Sequence, residues 1–178
     1  MNKPDGNYVF HGSHEMFETA IPKRNRRMKK NDAGEWVAVF DDVSFHATPY
    51  YWIAVNYTCI TQDVEYQGKK YWHCTGVELK KYKEEIEVYG VESLEKSLEI
   101  LFGKGGYVLT FDKNNFHTQE GLGILELISK KEIKPSSITR IDDPVSELKK
   151  LGIPFKFIDL TLPENREDAE LLVKPLNS

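Results

Sequence analysis

Apolar and polar positions alternate in several short runs along the chain, and each run ends in turn chemistry. Asn7 to His11 predicts a first strand, stopped by Gly12-Ser13. Glu15 to Ala20 predicts a short helix with Ser13 near its cap. Glu35 to Phe40 and Val43 to Ala47 predict two strands, with Asp41-Asp42 as the turn between them. Thr48-Pro49 then signals a helix start, and Tyr50, Ile53, Ala54 and Tyr57 recur at helical spacing. Gln62 to Cys74 predicts a hairpin turning at Gln67-Gly68-Lys69. Val91 to Phe102 is an amphipathic helix closed by Gly103. Strands are expected at Gly106 to Phe111, Gly123 to Ile128, Ser137 to Ile141 and Pro154 to Leu160, with a helix from Pro144 to Leu151.

Strands outnumber helices, and many have no crossover helix between them. That order predicts an α+β domain rather than a doubly wound parallel sheet. The 178 residues carry no repeat and no linker, so one domain is expected over 1–178, with an acidic, partly ordered tail from 161 to 178. Val77 to Val88 is highly charged and its limits are open.

Charge changes this picture at one place. The chain has 24 basic and 28 acidic residues, and six of the basic ones fall within 23–30: Lys23, Arg24, Arg26, Arg27, Lys29 and Lys30. Without them, 18 basic residues face 28 acidic ones. Six like charges in eight residues repel, and no acid stands four residues away within the run. With Pro22 before it and Asn31-Asp32-Ala33-Gly34 after it, the segment is expected to be an exposed basic loop. Such a loop is either solvated surface or a contact for phosphate, on a nucleotide or a nucleic-acid backbone.

Several chemistries are disfavoured. No P-loop, Rossmann glycine pattern, HExxH or nucleophile elbow is present. The five histidines show no metal-ligand spacing, so no metal is expected. Cys59 and Cys74 are expected to be buried thiols. No apolar run nears the roughly 20 residues of a membrane helix, and no secretory signal opens the chain, so a cytoplasmic protein without membrane contact is expected.

Three separated segments carry a further signal: Val9-Phe10-His11-Gly12-Ser13; Val43-Ser44-Phe45-His46-Ala47-Thr48-Pro49 with the helix through Tyr57; and Ile128 to Ile138. A His-Gly after the first strand, an aromatic-x-Ala before a helix ending in Tyr, and a late Glu preceding an apolar strand resemble the ADP-ribosyltransferase-like superfamily, especially its small bacterial and phage-type members. The resemblance implies split, mostly antiparallel sheets with flanking helices, and NAD as the bound substrate. It assigns His11 to the ribose, Gly12 to the nicotinamide amide, and Tyr57, or else Tyr50 or Tyr51, to stacking on the nicotinamide. Ser13, Arg24, Phe45 and Thr48 complete the set of residues expected to bind the NAD.

Glu132 falls near the late Glu and is the expected catalytic carboxylate together with His11. Phe45 stands where many members have Tyr, Ile53-Ala54 replaces a small hydroxyl, and Lys130-Lys131 precedes the acid. The implied activity is transfer of ADP-ribose to a macromolecule or cleavage of an N-glycosidic bond. The alternative is a non-catalytic nucleotide- or nucleic-acid-binding module of the same fold.

Overall fold

A computed structural model describes residues 2–80, 83–123 and 125–166, without the side chains of residues 30, 78–80 and 83. The expected tail beyond residue 166 lies outside the described residues. In chain order the elements are β1 (Tyr8–Ser13), β2 (Lys23–Lys30), β3 (Trp36–Ala47), α1 (Tyr51–Asn56), β4 (Gln62–Tyr66), β5 (Lys69–Lys80), β6 (Lys83–Gly90), α2 (Leu94–Phe102), β7 (Gly106–Asp112), β8 (Leu127–Ser129), β9 (Ser137–Ile141), α3 (Pro144–Lys150) and β10 (Phe155–Asp159). The class is α+β with mostly antiparallel sheets, as the strand-rich order predicts. The strands sort into three sheets, in the orders β1-β7-β9, β10-β6-β5-β4 and β2-β3-β8, and β10 pairs with β6 in parallel.

Local chemistry explains most boundaries. Gln67 and Gly68 both take positive φ (50° and 72°), the backbone that joins β4 tightly to β5. Ser93 caps α2 by accepting from Lys96 N, and Asp143 caps α3 by accepting from Ser146 N, with Pro144 opening that helix. Thr48 does not start a helix. Its backbone exchanges two hydrogen bonds with Phe10 (2.7 and 2.8 Å), so α1 begins only at Tyr51. The bridge ties the end of β3 to β1, and thereby the first sheet to the third.

Four other expectations are corrected. Residues 15–20 form no helix: Ser13 Oγ takes Glu15 N, and Ala20 is fixed by two backbone bonds to Ile133. The segment 23–30 is not a loop but strand β2, and Asp41-Asp42 is not a turn but the middle of β3. These two corrections are one event, because β2 and β3 pair antiparallel with Arg26 opposite Asp41 and Asn25 opposite Asp42. The repulsion within the basic run is relieved across the ladder rather than along the chain. Finally, Gly123 to Ile128 does not form one strand. Glu126 N bonds back to Gly123 O, and β8 starts at Leu127.

One irregularity sets the faces of the β2–β3 ribbon. Met28 stands opposite Ala38 but Arg27 opposite Phe40, so Val39 is an extra residue, a bulge. Beyond it, Arg24, Arg26, Asp41, Val43 and Phe45 share one face, while Arg27, Phe40, Ser44 and His46 share the other. Gly121 (φ +86°) lies against the bulge, where a Cβ would stand 1.9 Å from Val39 O.

The core has three parts. Val9, Leu109 and Phe111 of the first sheet pack on Phe45, Ala47 and Leu127 of the third. On the other side of the first sheet, α1 contributes Trp52 to Val55 to a cluster with Ile86, Leu98, Leu101 and Leu148. Tyr71, Cys74, Tyr89 and Leu160 complete the middle sheet. Gly12 sits under α1, and a Cβ there would lie 1.8 Å from Ala54 O. Gly12→Ala must therefore push α1 off β1, and overpacking of this kind costs about 1–3 kcal/mol. Denaturant unfolding should show that loss.

Two histidines make stability pH-dependent. His73 is fully buried, its Nε2 accepts from Val91 N, and its Nδ1–H has no partner among the described residues. Burial lowers its pKa, and burial likewise lowers that of His11. The unfolded chain therefore binds more protons than the folded one once pH falls below the ordinary imidazole value of 6.5. Stability should be full above that pH and fall below it, by up to about 1.4 kcal/mol per pH unit for each histidine. Denaturant titrations from pH 7.5 to 5 should show this decline, with a shallower slope in His73→Asn.

Candidate functional site

His11, inside β1, lies in the gap between the first and third sheets. Its ring lies 4.5 Å from Phe45 and 5.7 Å from Phe17, centre to centre. His11 Nδ1 stands 2.8 Å from the carbonyl oxygen of His46. A carbonyl only accepts, so Nδ1 carries the proton and Nε2 remains an acceptor. Desolvation dominates the lowered pKa of His11, outweighing that bond, and the ring is neutral at neutral pH. A neutral acceptor between two aromatic rings suits a hydroxyl donor such as a sugar.

A second cluster occupies the opposite face of β3. Ser44 and His46, two residues apart on one strand, point the same way. His46 Nε2 is 3.0 Å from Ser44 Oγ, and His46 Nδ1 is 3.3 Å from Glu126 Oε2. Arg27 Nη2 donates to the other carboxylate oxygen, Oε1, at 3.0 Å. Burial alone would raise the Glu126 pKa, but the His46 hydrogen bond and the Arg27 charge outweigh it and the net shift is downward. Glu126 is thus a fixed, ionised carboxylate in a half-buried setting.

Tyr57, just past α1, lies near enough to Glu126 and Arg27 to feel both charges. The residue is 47% exposed, yet burial of its polar end, helped by the Glu126 charge and opposed by Arg27, pushes the phenol up to about 12. It remains a neutral, partly open aromatic surface beside an ionised carboxylate.

The other expected site residues are dispersed. Gly12 backs onto α1. Ser13 holds the turn to Glu15, Thr48 bridges to Phe10, and Tyr50 precedes α1 and packs into its core. Tyr51 meets Phe10 edge to face. Arg24 makes a two-pronged pair with Asp41 (2.9 Å twice). Glu132 is exposed in the segment after β8, with no hydrogen bond or ion pair among the described residues. His11 and Phe45 are brought together. Tyr57 instead joins Glu126, on the other side of the β1–β3 layer, and Glu132 joins neither group.

The missed residues were Arg27 as a site residue, Ser44, His46 and Glu126. Their signals were present: Ser-x-His alternates on one strand face, and Glu126 is a lone acid within Gly-Ile-Leu-Glu-Leu-Ile-Ser. Placing Glu126 inside an expected strand hid it. No protein-family model, curated protein or solved structure matches the chain. Both cysteines are free thiols, raised in pKa by burial. Among the described residues no group of His, Cys, Asp or Glu is arranged to hold a metal, and no helix is long and apolar enough to cross a membrane.

Arg27→Gln removes a donor and a positive charge from Glu126. A side-chain carbon-13 titration should show the carboxylate protonating at higher pH in that variant. Both groups are partly exposed, so unfolding free energy should change by no more than about 1 kcal/mol.

Proposed function

We propose that this chain is an ADP-ribosyltransferase-like protein that binds NAD and breaks its N-glycosidic bond, with Glu126 rather than Glu132 as the working carboxylate. The observation that carries this reading is the fixing of Glu126 by Arg27 and His46 immediately before β8, with the half-exposed Tyr57 near enough to feel its charge. Glu126 directly precedes the short apolar strand β8, where the resemblance puts a late Glu; Glu132 is separated from β9 by four residues, 133–136. Tyr57 keeps the stacking role.

The chemistry suits the arrangement. When the ribose–nicotinamide bond breaks, its electron pair leaves with the ring nitrogen and positive charge develops on the ribose. A carboxylate held in place before the reaction stabilises that charge without reorganising. The acceptor, a macromolecule or water, then supplies the new bond and loses a proton. His11 reaches the same residue from the other side of the sheet: it bonds the backbone oxygen of His46, whose ring holds Glu126. In this reading His11 fixes the strand that carries His46 and has no direct part in holding the NAD.

Both Glu126 oxygens already have donors, which favours the second reading, a nucleotide-binding module without turnover. Nicotinamide release from NAD separates the two. Wild type should release it, Glu126→Gln should be roughly 100–1000-fold slower, and Glu132→Gln should match wild type. Stabilisation by NAD in a thermal shift without release in any variant supports the module. No stabilisation and no release removes NAD from consideration.

A further inference from the structure

Among the described residues β2 is the outer strand of its sheet, paired with β3 alone. Among the described residues no backbone group outside β3 bonds to it, and its one extra bond is the Asn25 side chain on Lys23 O at 2.9 Å. An eight-residue edge with open donors and acceptors is a template for another strand.

Its charge decides which strand. Lys23, Arg27 and Lys29 lie on one face, and Arg24 and Arg26 on the other. Among the described residues only Asp41 answers both arginines, at 2.9 and 3.7 Å, so the pair keeps an excess positive charge. Asp42, on the opposite face, is held by Lys130 and Gln119 rather than by β2. Lys23 and Lys29 are exposed and have no ion pair among the described residues. A second copy pairing edge to edge would set these cations against one another, which is destabilising.

We propose that the open edge of β2 receives an extended acidic segment of a partner protein, which adds a fourth strand to the β2-β3-β8 sheet. An added strand places its side chains within about 4.5–5.5 Å of the lysines and arginines on both faces, so carboxylates on either side find a cation. The backbone ladder supplies the affinity, and the charge selects the partner. A nucleic-acid strand would meet the cations but leave the open backbone groups of β2 unused.

The test uses three labelled probes on the whole protein: an extended peptide of about eight residues alternating Glu with Val or Thr, the same peptide with Pro at alternate positions, and a single-stranded oligonucleotide of equal charge. Fluorescence anisotropy should show the first binding, weakening with salt, and the proline peptide at least tenfold weaker because it lacks ladder donors. Arg24→Gln with Lys29→Gln, two changes outside the Glu126 cluster, should weaken the first peptide about tenfold. Equal binding of the two peptides, tighter binding of the oligonucleotide, or no binding of the first peptide overturns the proposal. None of these outcomes depends on NAD.

Discussion

The charge pairing between β2 and the strand beside it is the constraint on which this part of the molecule rests. Six cations in eight residues repel one another along a strand, and acids answer the three arginines among them. Asp41 answers Arg24 and Arg26 on one face, and Glu126 answers Arg27 on the other. Exposed pairs of this sort contribute little stability one by one. Their effect is on geometry, because they let a charged segment stay extended beside β3. Once it is extended, Arg27 stands where it can hold Glu126. The candidate site therefore depends on the basic strand through structure, before any ligand is considered.

The same dependence explains what was legible in the sequence. Elements whose cause is local came through: the Gln67-Gly68 turn, the capped α2, the Pro144-opened α3 and the strand β7. Those with a distant cause did not. The basic run looked like a loop and Asp41-Asp42 like a turn for one shared reason. Each is unfavourable alone, and each is the other's remedy across the ladder. The segment 15–20 gave up its helix to a bridge with Ile133, far along the chain. The candidate site was half legible. His11 and Tyr57 could be found by their neighbours in sequence, but Glu126 gains its meaning from Arg27 and His46, which are 99 and 80 residues away.

His46 is the hinge between the two halves of that site. Its backbone oxygen orders the His11 ring on one side of the strand, and its side chain orders Glu126 on the other. A strand alternates its faces by geometry, so one residue can link groups on both faces without any moving part. Ser44 finishes the line by fixing the far nitrogen of His46, and at 1% exposure it stays shielded from solvent.

The bulge at Val39 bears on how this chain can change over evolutionary time. It offsets β3 by one residue against β2 and so decides which cations meet Asp41 and which meet Glu126. Most side chains near it could be exchanged for others of similar character without altering that allocation. Regular pairing of the same residues, without the bulge, would slip β3 by one position and turn a whole set of side chains over, moving Ser44 and His46 away from Arg27. The feature under constraint is the register on each side of the bulge. Related chains that keep the charge arrangement should therefore vary in composition between residues 36 and 41 while keeping Arg26 opposite Asp41 and Arg27 opposite Phe40.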